Sequence, residues 1–347
     1  MISPKALHAI IKHFDCIDTA VAARMMRKRP WLEPALTSFL CDLLDEDVQN
    51  ETSLGYSLEE LNRDLQLDDN LIKTNFQIET HEYAPDMERW VTQSDLGFII
   101  NYNDYLLPEN SWSTAWLFQA KRMTADHKGK YLYSESSRFG SHDAKQHKRI
   151  ESLIKIVGVE FVKYMLYCPK PTSLDPLVRG KLAHLRNGSL SNDIFDFTLG
   201  LELRDELLSG GGTLAAGVFI SNVSDLPGNL GKVHRNILGS CWPLSWFIAR
   251  HFTNDRNRGH LREDSDHSNK IKISPGGRVT ISTKNLPNGA EWAHGIVRGD
   301  RTSVQRVVQA LNATQEIAYQ FLPAHTMTVD ISVGSDFNAD FRRINLE

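Results

Sequence analysis

The stretch from Asp95 to Lys121 contains two apolar runs, which read DLGFII over 95–100 and WLFQAK over 116–121. Short apolar runs rich in isoleucine and aromatic residues predict strands, here over 95–102 and 114–121. Alternation along a strand puts Gln119 and Lys121 on one face, while Ala120 points to the other. The two strands therefore carry a carboxylate, an amide and an ammonium group at positions where they can act together.

This set of groups is typical of metal-dependent cleavage of phosphodiesters. Such chemistry needs hard oxygen ligands for Mg²⁺ and a cation that steadies the attacking water and the charge on the phosphate. Asp95 and Gln119 offer the oxygen atoms, and Lys121 offers the cation. The pattern thus predicts a metal-dependent phosphodiesterase that acts on nucleic acid.

The elements around these strands predict an α/β fold with a mixed central sheet flanked by helices. Apolar periodicity and breaking residues predict two helices, over 5–28 and 33–44, followed by a strand over 75–82 and the two strands above, over 95–102 and 114–121. A helix over 143–157 and a strand over 161–168 come next. We expect 1–170 to form the core. Glu33 lies in the first turn of the second helix.

The second half of the chain, 171–347, gives weaker signals. Its pattern predicts a strand over 218–220, helices over 242–251 and 302–321, and a closing strand over 326–333. We interpret it as an α/β extension of unknown role. Whether it is a separate domain or part of the same sheet stays open.

Composition narrows the class of protein. The 347 residues are 41% hydrophobic and 24% charged, with no apolar window long enough for a membrane span and no secretory signal, so we expect a cytoplasmic protein without a membrane partner. The four cysteines lack metal-site or disulfide spacing. Residues 33–118 hold 18 acidic and three basic side chains, whereas 119–170 hold 11 basic and five acidic ones, which predicts a basic surface after the Gln-x-Lys strand.

The layout resembles the PD-(D/E)xK nuclease superfamily, with its restriction-endonuclease-like fold, over roughly 30–168. The resemblance implies that Glu33 is the helix glutamate, that Asp95 is the metal-binding aspartate, and that Gln119 and Lys121 occupy the acid-x-Lys position. The Gln-Ala-Lys-Arg sequence is similar to a branch of bacterial nucleases in restriction and anti-phage defence. It implies a Mg²⁺ cofactor, for which Mn²⁺ can substitute, and an endonuclease for which we expect DNA as the substrate.

This chain departs from the family pattern at two points. No proline precedes Asp95, and the neutral Gln119 replaces a carboxylate. Metal binding would then depend on Asp95, the Gln119 carbonyl, the backbone carbonyl of Ala120 and Glu33. Cleavage of both strands of a duplex takes two active sites, so a homodimer belongs to this interpretation, and the need for an activating ligand or partner protein stays open.

Each of these residues also has a structural explanation. Asp95 could begin a strand, Lys121 could protect an edge strand from pairing, and Glu33 could complement its helix dipole. Glu79 and His81, on a predicted neighbouring strand, could extend a metal site or face solvent. At the level of the whole protein, the alternatives to a nuclease are an inactive nucleic-acid-binding or assembly module with the same fold, and an enzyme whose chemistry lies in 171–347.

Overall fold

The computed structural model describes residues 2–49, 54–67, 73–82, 95–126, 129–140, 144–190, 214–252, 270–279, 289–300, 302, 305–306, 309 and 323–335. The helices in these ranges are α1 (Pro4–Met25), α2 (Glu33–Leu44), α3 (Glu46–Gln49), α4 (Leu58–Leu67), α5 (Ala144–Val157), α6 (Pro176–Leu190), α7 (Leu230–Arg235), α8 (Leu244–Ala249) and α9 (Gly289–Arg298). The strands are β1 (Lys73–Glu82), β2 (Leu96–Asp104), β3 (Trp112–Arg122), β4 (Val162–Tyr167), β5 (Val218–Asn222), β6 (Cys241–Pro243), β7 (Ile271–Lys272) and β8 (His325–Gly334).

All of these strands belong to one mixed sheet, which confirms the predicted α/β fold. Its order is β1-β8-β2-β3-β4-β5-β6, and β7 pairs with the beginning of β3. The pairs β8–β2 and β3–β4 are parallel, and the other pairs are antiparallel. The helix α5 connects β3 to its parallel neighbour β4, as parallel strands require a crossover.

The second half of the chain contributes β5, β6, β7 and β8 to the same sheet as the first half. The strand β8 lies between β1 and β2, with Phe98 opposite Met327 in the parallel ladder. The prediction that the strand carrying Glu79 and His81 neighbours β2 is therefore wrong. Hydrophobic alternation determines which face of a strand is buried, but it does not specify the strand's partner.

Helices cover both faces of the sheet. On one face, Phe98 stacks on Phe118 at a ring-centroid distance of 5.5 Å, and Trp116 meets Phe247 of α8 edge-on at 5.0 Å. On the other face, a Cβ atom at Gly97 would lie 2.9 Å from the Val297 side chain of α9. Every residue of β2 is buried, which explains its nearly unbroken apolar sequence.

The predicted elements of the second half are only partly described. A strand at 218–222 and the closing strand β8 agree with the prediction, whereas 242–251 is not one helix, because Cys241–Pro243 pair with β5 and α8 begins only at Leu244. Most of 302–321 lies outside the described residues. None of the helices in the described part of the chain has the length and apolar character that crossing a bilayer demands.

Candidate active site

The candidate site lies where β3 continues beyond the first residue of β2. The ladder between these strands pairs Leu96 with Phe118, and β3 then runs on to Arg122. Amide groups two residues apart on a strand point to the same side, so those of Ala120 and Arg122 both face the place where β2 is missing. Two side-chain carboxylates occupy that place. We call the group formed by Asp95, Gln119, Lys121 and Glu33 the carboxylate notch.

Asp95 is held at the notch by its backbone and by its side chain. Its amide donates to the Phe118 carbonyl at 2.8 Å, and its carbonyl accepts from the His325 amide at 3.1 Å. Its carboxylate oxygen Oδ2 accepts from the Ala120 amide at 2.6 Å, although the residue is only 6% exposed. Asp95 thus takes the place of a strand residue, which is the structural explanation, and it also puts a fixed carboxylate beside Gln119.

Gln119 is 2% exposed, and its two amide atoms lie in different environments. Its Nε2 donates to Asp95 Oδ2 and, at 3.4 Å, to the Ala120 carbonyl. Its Oε1 is buried and has no hydrogen-bond partner among the described residues. A buried acceptor without a partner costs about 1–3 kcal/mol, so this oxygen is a ready ligand for a cation.

Lys121 is 5% exposed and lies opposite Leu166 in the ladder between β3 and β4. The strand β3 is central in the sheet order, but at Lys121 only its β4 side is paired, because the ladder with β2 ends at Phe118. Lys121 is buried, so it lacks the solvent-exposed position of a lysine that protects a sheet edge. Alternation puts Lys121 on the same face of β3 as Gln119. A buried ammonium group is costly unless anionic or polar groups compensate it, and the carboxylates of Asp95 and Glu33 bind the amides of the residues on either side of Lys121.

Glu33 is the first residue of α2, as predicted. Its Oε1 accepts from the Arg122 amide at 2.8 Å, which brings the glutamate from 89 residues away to the end of β3. The helix N-terminus also favours its charge, so the dipole explanation is compatible with the position of Glu33 beside β3.

Arg122 is a residue of the site that the sequence analysis did not identify. Its Nη1 donates to the carbonyls of Trp31 at 3.2 Å and Pro30 at 3.4 Å. The backbone amide of Arg122 therefore binds the Glu33 carboxylate, and its side chain binds the two backbone carbonyls that precede α2. Arg122 positions the glutamate against β3.

Thr37 and Tyr167 form a second link between α2 and the sheet that sequence reasoning missed. Their hydroxyl oxygens lie 2.9 Å apart, and Thr37 Oγ1 also donates to the Glu33 carbonyl at 3.1 Å. Burial raises the pKa of the Tyr167 phenol well above its usual range, and the negative charges of Asp95 and Glu33 act in the same direction. Tyr167 is therefore a neutral hydroxyl group near the carboxylates.

Glu79, which the sequence offered as an extension of the metal site, does not join the carboxylate notch. Glu79 is exposed on β1, which β8 separates from β2. The side chain of His81 lies outside the described residues.

The donor set of the notch fits a hard divalent cation. Among the described residues no cluster of three His, Cys, Asp or Glu side chains could hold a metal, so a metal here would need amide and backbone oxygens as well as carboxylates. Asp95, Glu33, the orphaned Gln119 Oε1 and the Ala120 carbonyl supply such oxygen atoms, and Mg²⁺ prefers oxygen ligands.

Comparisons of this chain with protein-family models, with curated proteins and with solved structures give no match.

Proposed function

We propose that this protein is a divalent-metal-dependent nuclease that hydrolyses phosphodiester bonds, with DNA as the expected substrate. One observation carries the proposal: Asp95 and Glu33 each bind an amide of β3, two residues apart, on the strand that also bears Gln119 and Lys121. Four residues from three separate parts of the sequence thus meet at one strand end. The resemblance to PD-(D/E)xK nucleases rests on the same four residues.

The residues that would hold Mg²⁺ or Mn²⁺ are Asp95, Glu33, Gln119 through Oε1 and Ala120 through its carbonyl. A bound divalent ion would supply Lewis-acid activation of the phosphate and a lowered pKa for its bound water. The neutral Gln119 contributes one negative charge fewer than a carboxylate, so we expect weaker metal binding than at a site with three acids.

The chain's own residues orient the reactants and offset charge. Lys121 orients the attacking water and stabilises the negative charge that develops on the phosphate, an interaction that is strong because the residue is buried. Arg122 keeps Glu33 in place through the contacts of its backbone and side chain. Hydrolysis then breaks one P–O bond and leaves a phosphate monoester and a free hydroxyl group.

The biological setting that we propose follows from the resemblance alone. It is a cytoplasmic effector of bacterial restriction or anti-phage defence, which cuts both strands of a duplex as a homodimer. The need for an activating ligand or partner protein belongs to the same proposal.

The test of the nuclease proposal is a cleavage assay with the purified chain. Plasmid DNA and labelled single-stranded DNA and RNA are incubated with Mg²⁺, Mn²⁺ or EDTA, beside Asp95→Ala and Lys121→Ala. We expect metal-dependent cutting that both substitutions abolish, with the preferred substrate identified by rate. Cutting that persists in EDTA or in both variants would reject the assignment of the site.

The contacts of Gln119 favour a second candidate function, an inactive nucleic-acid-binding or assembly module. The Gln119 amide donates to Asp95, so this pair is stabilised by a hydrogen bond in the absence of a cation. Metal dependence separates the two functions. A module would bind nucleic acid equally well with Mg²⁺ or EDTA and would cut none of the substrates under any metal while it remained folded.

A further inference from the structure

Four cations lie within six residues at the end of α1 and directly before the carboxylate notch in the chain. We call Arg24, Arg27, Lys28 and Arg29 the basic run. Arg27, Lys28 and Arg29 are exposed, and they follow the last residue of α1, Met25. One cation in the last turn, Arg24, is enough to complement the helix dipole, so the other three need a different explanation.

In the part of the chain that the structure describes, no carboxylate forms an ion pair with the basic run. Within the described ranges, the Nε atom of Arg24 is buried with no hydrogen-bond partner. Burial lowers the pKa of Arg24, and the neighbouring charge of Arg27 lowers it further. The fold thus keeps two guanidinium groups close together against their repulsion, which an anionic ligand would relieve.

Aromatic rings fix the positions of these guanidinium groups. Arg24 lies 4.5 Å from the ring centroid of Phe39 and 5.3 Å from that of Trp31, and Arg27 lies 5.0 Å from the Trp31 ring. Trp31 in turn meets Phe39 edge-on at 5.5 Å. Stacked guanidinium groups lose less freedom when they bind a phosphate than flexible side chains do.

The basic run is also fixed relative to the carboxylate notch. Arg122 binds the backbone carbonyl of Trp31 with its side chain and Glu33 with its amide. Trp31, which Arg24 and Arg27 contact, is only two residues from Glu33 in the chain. Arg122 of β3 binds both Trp31 and Glu33. A strand of nucleic acid whose phosphate lies at the notch would continue past this cationic surface.

We propose that the basic run binds the phosphate backbone of the nucleic acid that the carboxylate notch cleaves. This inference rests on the proposed function and deepens it, because it assigns the contact surface of the substrate. The predicted basic surface of 119–170 is a different segment. Contacts to phosphate groups are independent of base sequence, so the basic run strengthens binding and orients the strand without selecting a sequence.

The test is the affinity of the full chain for labelled 30-nucleotide single-stranded DNA and RNA and for duplex DNA, measured in EDTA so that cutting does not interfere. The variant is the triple substitution Arg27→Gln, Lys28→Gln and Arg29→Gln. The matched control replaces three exposed cations of α6 and α7 by glutamine, at Arg179, Lys232 and Arg235. Both variants lose the same net charge.

We expect the variant to bind at least about tenfold more weakly at 0.1 M salt, while the control stays within about threefold of the wild type. The slope of log Kd against log salt concentration falls by roughly 2 to 3 in the variant only, because each lost phosphate contact removes about one released counterion. Equal losses in variant and control, or no loss in the variant, would reject the inference.

Two further arms keep this inference separate from the proposed function. If the triple variant binds normally and still cuts in Mg²⁺, the nuclease proposal stands and the role of the basic run is rejected. If the triple variant alone loses binding but the wild type never cuts, the role of the basic run stands and the nuclease proposal is rejected. The second arm uses vesicles containing phosphatidylserine as the probe. Preferential binding to vesicles through the basic run would identify a membrane surface and would overturn the inference.

Discussion

At the residue scale, the amide of Gln119 determines how the carboxylate notch behaves without a metal. It donates to Asp95 and leaves Oε1 buried without a partner among the described residues. A carboxylate at this position would instead repel Asp95 and would need a cation for compensation. If the proposed metal site is correct, glutamine therefore exchanges metal affinity for stability of the metal-free protein.

We predict that Gln119→Glu destabilises the metal-free protein by about 1–3 kcal/mol, because a buried hydrogen bond is lost and two carboxylates face each other. Millimolar Mg²⁺ should recover most of this loss. The measurement is thermal unfolding with Mg²⁺ or EDTA, and Asn187→Asp, at an exposed position of α6, is the control for an added charge. A variant with wild-type stability and no response to Mg²⁺ would contradict this account of the notch.

A second prediction concerns Lys121. The Lys121→Met variant keeps the length of the buried side chain but removes its charge, so we expect it to fold and to lose roughly 10²–10³-fold in single-turnover cleavage rate. Nucleic-acid binding should change little, because the basic run stays intact. A cleavage rate within threefold of the wild type would remove Lys121 from the mechanism.

The residues of the notch differ in how far the sequence could predict them. Gln119 and Lys121 share one short strand, so alternation alone groups them, and Asp95 opens the preceding apolar run. Thr37 and Tyr167 are 130 residues apart and meet only through the packing of α2 on the sheet. No local pattern encodes such a contact.

At the element scale, the position of α2 depends on Arg122. We predict that Arg122→Met lowers the free energy of unfolding by about 1–2 kcal/mol, because its bonds to the Trp31 and Pro30 carbonyls are lost while its amide still binds Glu33. The looser helix should also raise the Mg²⁺ concentration at half-maximal cleavage. Denaturant unfolding and a Mg²⁺ titration of the rate check both effects.

Arg122→Lys is the informative partner of that variant, because it retains one donor for the same carbonyls. It should fall between the wild type and Arg122→Met in both measurements. If all three proteins have the same stability and the same metal dependence, the side chain of Arg122 does not position Glu33.

The helix α1 gives the fold a pH dependence through His13. This residue is fully buried, its Nδ1 lies 3.0 Å from the Tyr56 carbonyl, and burial lowers its pKa to about 4 from 6.5. Between pH 6.5 and 4 the unfolded chain binds a proton that the folded chain excludes, so His13 makes stability fall as the pH falls, by on the order of 3 kcal/mol.

Asp18 has the opposite effect, because burial raises its pKa to about 6. The folded chain then binds a proton more tightly than the unfolded chain, and this contribution to stability is lost as the pH rises from about 4 through 6. The difference in unfolding free energy between the wild type and His13→Asn isolates the histidine. That difference should grow in favour of the variant on acidification, and a constant difference would contradict the assignment.

The bounds of the elements were predictable where the chain carries a local signal. The strands of the notch lie within two residues of their predicted bounds, and α2 begins at Glu33 as predicted. The first helix ends at Met25 rather than at 28. Pro30 disfavours helical geometry at the residue before it, and the charges of Arg27, Lys28 and Arg29 repel one another and make a longer helix less favourable.

At the scale of the whole molecule, the sheet combines the two halves of the chain. The strand β8 begins at His325, 229 residues after Leu96, and it pairs with β2 in parallel. The sequence predicted a closing strand there but not its partner, because pairing at such distance depends on the packing of the complete core. The α/β class followed from the order of elements, whereas the strand order did not.

This arrangement places the carboxylate notch next to the central strands rather than at a sheet edge. The strand β3 lies between β2 and β4 in the sheet order, two carboxylates bind its amides beyond the end of the β2 ladder, and helices cover both faces of the sheet. Lys121 and Gln119 are therefore buried although both are polar. Their burial strengthens the electrostatic interactions that the proposed chemistry requires.

The rate of plasmid cleavage by Asp95→Asn, relative to the wild type in Mg²⁺, tests the nuclease most directly. Asparagine keeps an acceptor for the Ala120 amide, so the variant should retain the wild-type melting temperature. We predict a rate at least about 10²-fold lower in the folded variant, and no cutting by either protein in EDTA. Equal rates for the two proteins, or cutting by the wild type in EDTA, would contradict a metal-dependent nuclease centred on Asp95.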